Sequence, residues 1–140
     1  MFAGRVEALR RAVAPLLLAS ILLGACGDTG PTRHEISVRM RYSKYLPASL
    51  EVRAGDIVDF TLINADPINH EFIIGTEAEQ LEHERGPIDD VHDGPGEASI
   101  LANASKRLSF TFTKPGTFLY ACHLPGHYGY GMKGTIRVTA

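Results

Sequence analysis

Cys122, His127 and Met132 lie within one short run, Tyr120-Ala121-Cys122-His123-Leu124-Pro125-Gly126-His127-Tyr128-Gly129-Tyr130-Gly131-Met132. Strand side chains alternate, so Phe118 and Tyr120 share a face with Cys122 and the thiol is expected to point inward. His123 then faces the other way. The Pro125-Gly126 turn can bring His127 back to the sulfur, and the glycine-rich stretch through Gly131 lets Met132 approach the same point. A thiolate, an imidazole and a thioether form a soft donor set, which selects copper over calcium, magnesium or manganese. Zinc accepts Cys and His but takes Met poorly. A second imidazole must come from elsewhere, and His70 is the best candidate, because Asn69-His70-Glu71-Phe72 sits where a loop enters an apolar strand. Two His, one Cys and a weak axial Met are the ligands of a type 1 copper centre.

Each of these residues has a plainer alternative. Cys122 could be a buried thiol acting as a small hydrophobe, His70 a core or turn histidine, and Met132 a packing residue. His123 is read as a supporting or surface residue, with a substitute ligand as the alternative, and His34 as solvent-exposed. His83 and His92 stand among Glu79, Glu82, Asp89, Asp90 and Asp93. They are expected at the surface, with a second, labile metal site as the alternative. Tyr128 and Tyr130, with Leu124 and Pro125, fit either an apolar rim around His127 or loop packing.

The elements that must position these side chains read as β-strands. Ile36, Val38 and Met40 alternate with Ser37, Arg39 and Arg41, and Leu50 and Val52 repeat the pattern. Ile57 to Ile63 and Glu71 to Ile74 are apolar runs bounded by Ala54-Gly55-Asp56 and Asp66-Pro67. Leu108, Phe110 and Phe112 alternate again, and Thr117 to Ala121 and Gly134 to Thr139 follow. About seven short strands separated by Gly, Pro, Asp and Asn predict an all-β, antiparallel sandwich. One segment departs: Thr76-Glu77-Ala78-Glu79 has the capping-box spacing, and Gly86-Pro87 stops the helix predicted from Thr76 to Arg85. The stretch from Thr76 to Glu97 carries eight acids against one base, Arg85, and is expected to be a solvated insertion.

The first 25 residues have a different character. Arg5, Arg10 and Arg11 precede the apolar run Ala12 to Leu23, the pattern of a secretory signal peptide. The run is shorter than the roughly 20 residues a bilayer span needs. Leu23-Gly24-Ala25-Cys26 resembles the bacterial lipobox, whose cysteine becomes the lipidated first residue; the alternatives are an ordinary secretory signal or an uncleaved helix. Residues 26–34 then form a flexible tether, and residues 35–140 the folded domain, with 76–97 as its acidic insertion. Cleavage before Cys26 leaves 115 residues and removes three Arg and one Glu, so the formal charge moves from −2 to −4. Cys122 is then the only thiol not lipidated. Exported proteins normally pair their cysteines, so a lone thiol calls for another role, such as a metal. Nothing in the charge pattern suggests a nucleic-acid partner.

Cys122-x4-His127-x4-Met132, with His70 about 50 residues upstream, resembles the cupredoxin family of type 1 blue copper proteins. The loop Cys-x-x-Pro-Gly-His-x4-Met is most similar to auracyanin- and rusticyanin-like members. The resemblance implies a Greek-key β-sandwich with one copper ion at one end, and electron transfer as the commonest role. Two departures stand out. Small blue copper proteins often carry Asn after the first ligand His, where it helps tie the ligand loops together. Here Asn69 precedes His70 and Glu71 follows it, which leaves those ties, the potential and the colour open. The acidic insertion after the His70 strand resembles cupredoxin-domain proteins linked to periplasmic copper tolerance. The expected function is a membrane-tethered electron carrier, with envelope copper tolerance or delivery as the alternative. It implies export, a lipid anchor on the extracytoplasmic side, a transient redox partner and a monomer. No multicopper-oxidase motif and no Ser/His/Asp or paired-carboxylate arrangement stands out, so an enzyme is not expected.

Overall fold

The computed structural model describes residues 30–86 and 93–140. In chain order they form β1 (Arg33–Met40), β2 (Tyr45–Leu46), β3 (Ser49–Arg53), β4 (Ile57–Asn64), β5 (His70–Gly75), α1 (Glu77–Arg85), β6 (Asp93–Gly94), β7 (Glu97–Ile100), β8 (Ser105–Thr111), β9 (Gly116–Ala121) and β10 (Lys133–Thr139). One sheet runs β2-β1-β4-β8 and the other β3-β10-β9-β5-β7-β6. The signal and lipidation assignments, including Cys26, lie outside the described residues, as do Asp89, Asp90 and His92.

Alternation explains most of this sandwich. In β4 every second residue is buried, placing Val58, Phe60 and Leu62 inward. They meet Val38 and Met40 of β1 and, from the facing sheet, Phe72, Ile100, Tyr120 and Ile136. Each large apolar side chain buried this way contributes about 1.5–3 kcal/mol. β2 and β6 are two residues long, too short to carry a pattern, and neither they nor β7 was expected. The antiparallel expectation needs correction: β1 pairs with β4 in parallel, and β3 with β10. Between β1 and β4 the chain crosses to the other sheet to lay down β3, so it re-enters beside β1 in the same direction.

The helix starts where its capping box predicts. The Thr76 hydroxyl accepts from the Glu79 amide, and the Thr76 amide donates to Glu79 Oε2 at 2.6 Å. The acidic stretch is not wholly solvated, however. Gln80 is fully buried, and its amide nitrogen donates to the carbonyls of Ile73 (2.8 Å) and Leu119 (3.3 Å), fastening α1 across β5 and β9.

Beneath the end that carries His70 and Cys122 sits an aromatic floor. The Phe72 and Tyr120 rings stack at 5.0 Å, and Tyr45 meets both edge-on. Tyr120 crosses its strand partner Gly134, where a Cβ would lie 2.1 Å from the ring, and its hydroxyl donates to the Pro47 carbonyl at 2.6 Å. Only glycine fits at 134. The two ends of β1 mark the poles of the sandwich. The Thr32 amide donates to Asp56 Oδ1 near the Arg33 end, whereas the Met40 carbonyl accepts from Ala65, beside the loop that leads to His70.

Candidate metal centre

His70 opens β5, Cys122 follows the end of β9, and His127 and Met132 lie in the loop before β10. Backbone bonds shape that loop: His127 N donates to Leu124 O, Tyr130 N to Gly126 O, Gly131 N to Tyr128 O and Met132 N to His127 O, each at 2.9 Å. Gly126 and Gly131 have φ near +84° and +83°, a conformation that favours glycine. The loop closes where Cys122 N donates to Met132 O at 3.2 Å, so residues ten apart in sequence stand side by side.

The donor atoms converge. Cys122 Sγ lies 3.2 Å from His127 Nδ1, which lies 3.3 Å from His70 Nδ1, and all three are within 4.8 Å of one another. Ligands bonded about 2.0–2.3 Å from a shared ion stand roughly 3.3–3.7 Å apart, so the cluster is close to the spacing a metal needs. Among the described residues no other group of three or more His, Cys, Asp or Glu meets this criterion. His70, Cys122 and Met132 are buried, and the Met132 main chain is hydrogen-bonded to Cys122 and His127; His127 is partly exposed. One thiol and two imidazoles, with Met132 in the same loop as His127, fit copper by donor chemistry.

The departure at Glu71 resolves into specific contacts. Its amide N–H points to Cys122 Sγ at 3.4 Å, and its side-chain Oε2 accepts from the His123 amide at 2.9 Å. Glu71 thus ties the two ligand loops together. Burial pushes the Cys122 thiol up to about 11, against the opposing pull of the Glu71 and Leu124 amides. A metal must therefore displace a proton that the apolar surroundings retain. Burial, with His70 close by, lowers the His127 pKa and favours the neutral imidazole a metal requires.

Sequence reasoning missed Asp66, which it used only as a turn residue. Its Oδ2 meets His70 Nε2 at 2.9 Å, and its oxygens accept from the amides of Tyr42 (2.7 Å) and Ser43 (2.9 Å). Burial of this carboxyl acts to raise its pKa, but the two amides and His70 outweigh it and the net shift is downward. An acid four residues before a candidate ligand was the available signal.

His123 faces away from the sulfur, as strand parity predicts. It is clasped by α1: its Nε2 meets Gln80 Oε1 at 2.6 Å, its Nδ1 meets Glu84 Oε2 at 2.9 Å, and its ring stacks on Tyr128 at 4.9 Å. Tyr128 is therefore loop packing, whereas Tyr130 is 80% exposed beside Gly126. His83 stacks on His123 and lies 3.4 Å from Glu97. His34 is only partly exposed and reaches the buried Asp56 at 2.9 Å.

Comparison with known proteins places this geometry in context. Residues 33–139 match the family described as copper binding proteins, plastocyanin/azurin family. The chain is 36% identical over 119 residues to the copper-resistant cuproprotein CopI of Rubrivivax gelatinosus, covering 82% of this chain and 72% of that one. It is 26% identical over 171 residues to the protein of the same name from Pseudomonas aeruginosa, covering 89% and 94%. The structure of auracyanin B superposes with a TM-score of 0.66 at 26% identity, covering 76% of this chain and 89% of that one.

Proposed function

The chain belongs to the plastocyanin/azurin family of copper binding proteins, and we propose that its type 1 centre serves copper tolerance at the cell envelope by exchanging single electrons. The observation that carries the reading is the convergence of His70, Cys122 and His127 at the buried end of a rigid sandwich. Copper bound there supplies a one-electron couple. The chain's residues would do the rest: Cys122, as thiolate, with His70, His127 and Met132 would hold the ion. Because β5, β9 and the backbone-bonded loop hold these donors in place, little has to move when the charge changes. Electrons would cross at the edge of His127, beside exposed Tyr130, to a partner docked over a small interface, below about 1,200 Å². In this reading the chain is a monomer, not an enzyme, and is exported and held to the membrane through lipid on Cys26. Support for the tolerance role comes from the relatives named copper-resistant, which the chain matches over most of its length.

A second reading, a dedicated electron carrier, draws on the likeness to auracyanin B. Two measurements separate them. Deleting the gene should lower the copper concentration at which cells stop growing, and a Cys122→Ser copy should fail to restore it. Normal growth in copper together with a lost respiratory or photosynthetic electron flow would favour the carrier. Copper loading of the purified protein should produce an intense thiolate-to-copper absorption, and a colourless, zinc-preferring protein would refute both.

A further inference from the structure

The turn between β1 and β2 has the wrong residues for its shape. Arg41 and Lys44 exchange both backbone hydrogen bonds (3.0 and 3.2 Å), leaving Tyr42 and Ser43 as the central pair of a two-residue hairpin loop. Both have positive φ, 56° and 51°. Such turns favour Asn-Gly, and residues with a Cβ lose about 1–2 kcal/mol each in this conformation. Burial of Tyr42 offers no compensation, since the residue is 77% exposed.

The contacts of the turn come from its backbone amides and from the two residues that follow. Its left-handed pair aims two successive amides at Asp66, a small anion-binding nest. Asp66, 6% exposed, presents Oδ2 to His70 Nε2. A carboxylate only accepts, so His70 Nε2 carries the hydrogen and Nδ1 is left as the donor atom facing Cys122 and His127. The next residue, Lys44, reaches across to the other ligand loop, where its Nζ donates to the carbonyls of Tyr130 (2.6 Å) and Gly131 (3.3 Å), immediately before Met132. Tyr45 then donates its hydroxyl to the Glu71 carbonyl, on the far side of His70. One four-residue segment therefore grips both ligand-bearing stretches, some 24 and 86 residues away in sequence.

We propose that the Tyr42–Tyr45 turn is a clamp that sets the spacing of the two copper-ligand loops, with Asp66 the positioning residue of His70 and Lys44 that of the Met132 segment. The inference rests on the copper assignment but not on the tolerance role. Its test compares wild type with Lys44→Met, Asp66→Asn and Asp66→Ala. Three readouts apply: copper(II) loss to a chelator, the ratio of the thiolate-to-copper bands, and nitrogen-15 NMR of the His70 ring in the copper-free protein.

Lys44→Met, at the surface, should leave the copper-free melting temperature in place, change the band ratio and speed copper loss about 10-fold. Asp66→Ala should lose the Nε2–H form of His70 and release copper roughly 10–100-fold faster. Asp66→Asn, which retains one acceptor oxygen, should fall between Asp66→Ala and wild type. If Asp66→Ala does not fold, the other two variants decide. Wild-type copper loss and band ratios in both Lys44→Met and Asp66→Asn would overturn the clamp, whereas a wild type that takes up no copper would overturn the site itself.

Discussion

The two imidazoles of the centre are held in opposite ways. His70 starts a strand in the middle of a six-stranded sheet, is 1% exposed, and has Asp66 against the ring nitrogen that turns away from the cluster. His127 sits in a glycine-rich loop, partly exposed, with backbone bonds to Leu124 and Met132 fixing only its main chain. One ligand is part of the frame, and the other is the doorway. A site that must keep its geometry yet communicate with a partner gains from this division, because rigidity and access are assigned to different residues.

The largest expected effect breaks the pair apart. His70→Gly should cost the copper-free protein roughly 3 kcal/mol, since it leaves a cavity and strips the buried Asp66 carboxylate of a partner. Added imidazole should not restore colour. His127→Gly should cost less than about 1 kcal/mol, and millimolar imidazole should restore the visible bands through the opened doorway. Melting curves and imidazole titrations read both, and equal behaviour of the two variants would dissolve the distinction.

Acidity separates the buried side from the loop somewhat less strongly. The folded Cys122 thiol is raised from 9.0 to about 11. The folded state therefore binds more protons between those values, so the associated stability is full below pH 9 and is lost as pH rises through 11, roughly 3 kcal/mol at most. With copper bound the thiol has already lost its proton, so the loaded protein should show no such decline. His127, lowered, works at the other end: its contribution is full above the ordinary histidine value and fades as pH falls below it. Melting temperature against pH, with and without copper, checks both signs.

Met132→Leu should sharpen the comparison on the axial side. Both residues fill a buried apolar site, so the fold should hold, but loss of a weak donor disfavours copper(II) and should raise the potential by on the order of 60 mV, a tenfold shift for one electron. Cyclic voltammetry decides, and an unchanged potential would reduce Met132 to packing. The smallest effect concerns the frame: replacing Tyr42-Ser43 with Asn-Gly should relieve the turn and raise the melting temperature by several degrees, about 1 kcal/mol, without moving the spectrum.

The strands and the loop that brings Cys122 and His127 together were legible for one reason: both are periodic or closely spaced in sequence. β4 alternates, the capping box at Thr76 is four residues long, and Cys122, His127 and Met132 share one loop. What could not be read joins distant residues by single contacts. Asp66, four residues before His70, offered only a weak local signal, and its contact with His70 Nε2 exists only once the loop between β4 and β5 has folded back. Gln80, in a run of acids, looked solvated, yet its amide closes two carbonyls beneath the helix. The parallel pairing of β1 with β4 was hidden as well, because period-two patterning specifies a face but not a direction.

The direction of β1 carries a final consequence. Its eight residues climb from Arg33 to Met40, about 25 Å at strand rise, and the ligands lie at the summit. The described chain enters at the foot of that climb, where Thr32 bonds to Asp56. The cluster thus lies at the pole opposite the point where the N-terminal segment enters the fold, so a partner that docks on it approaches from the side away from that entry.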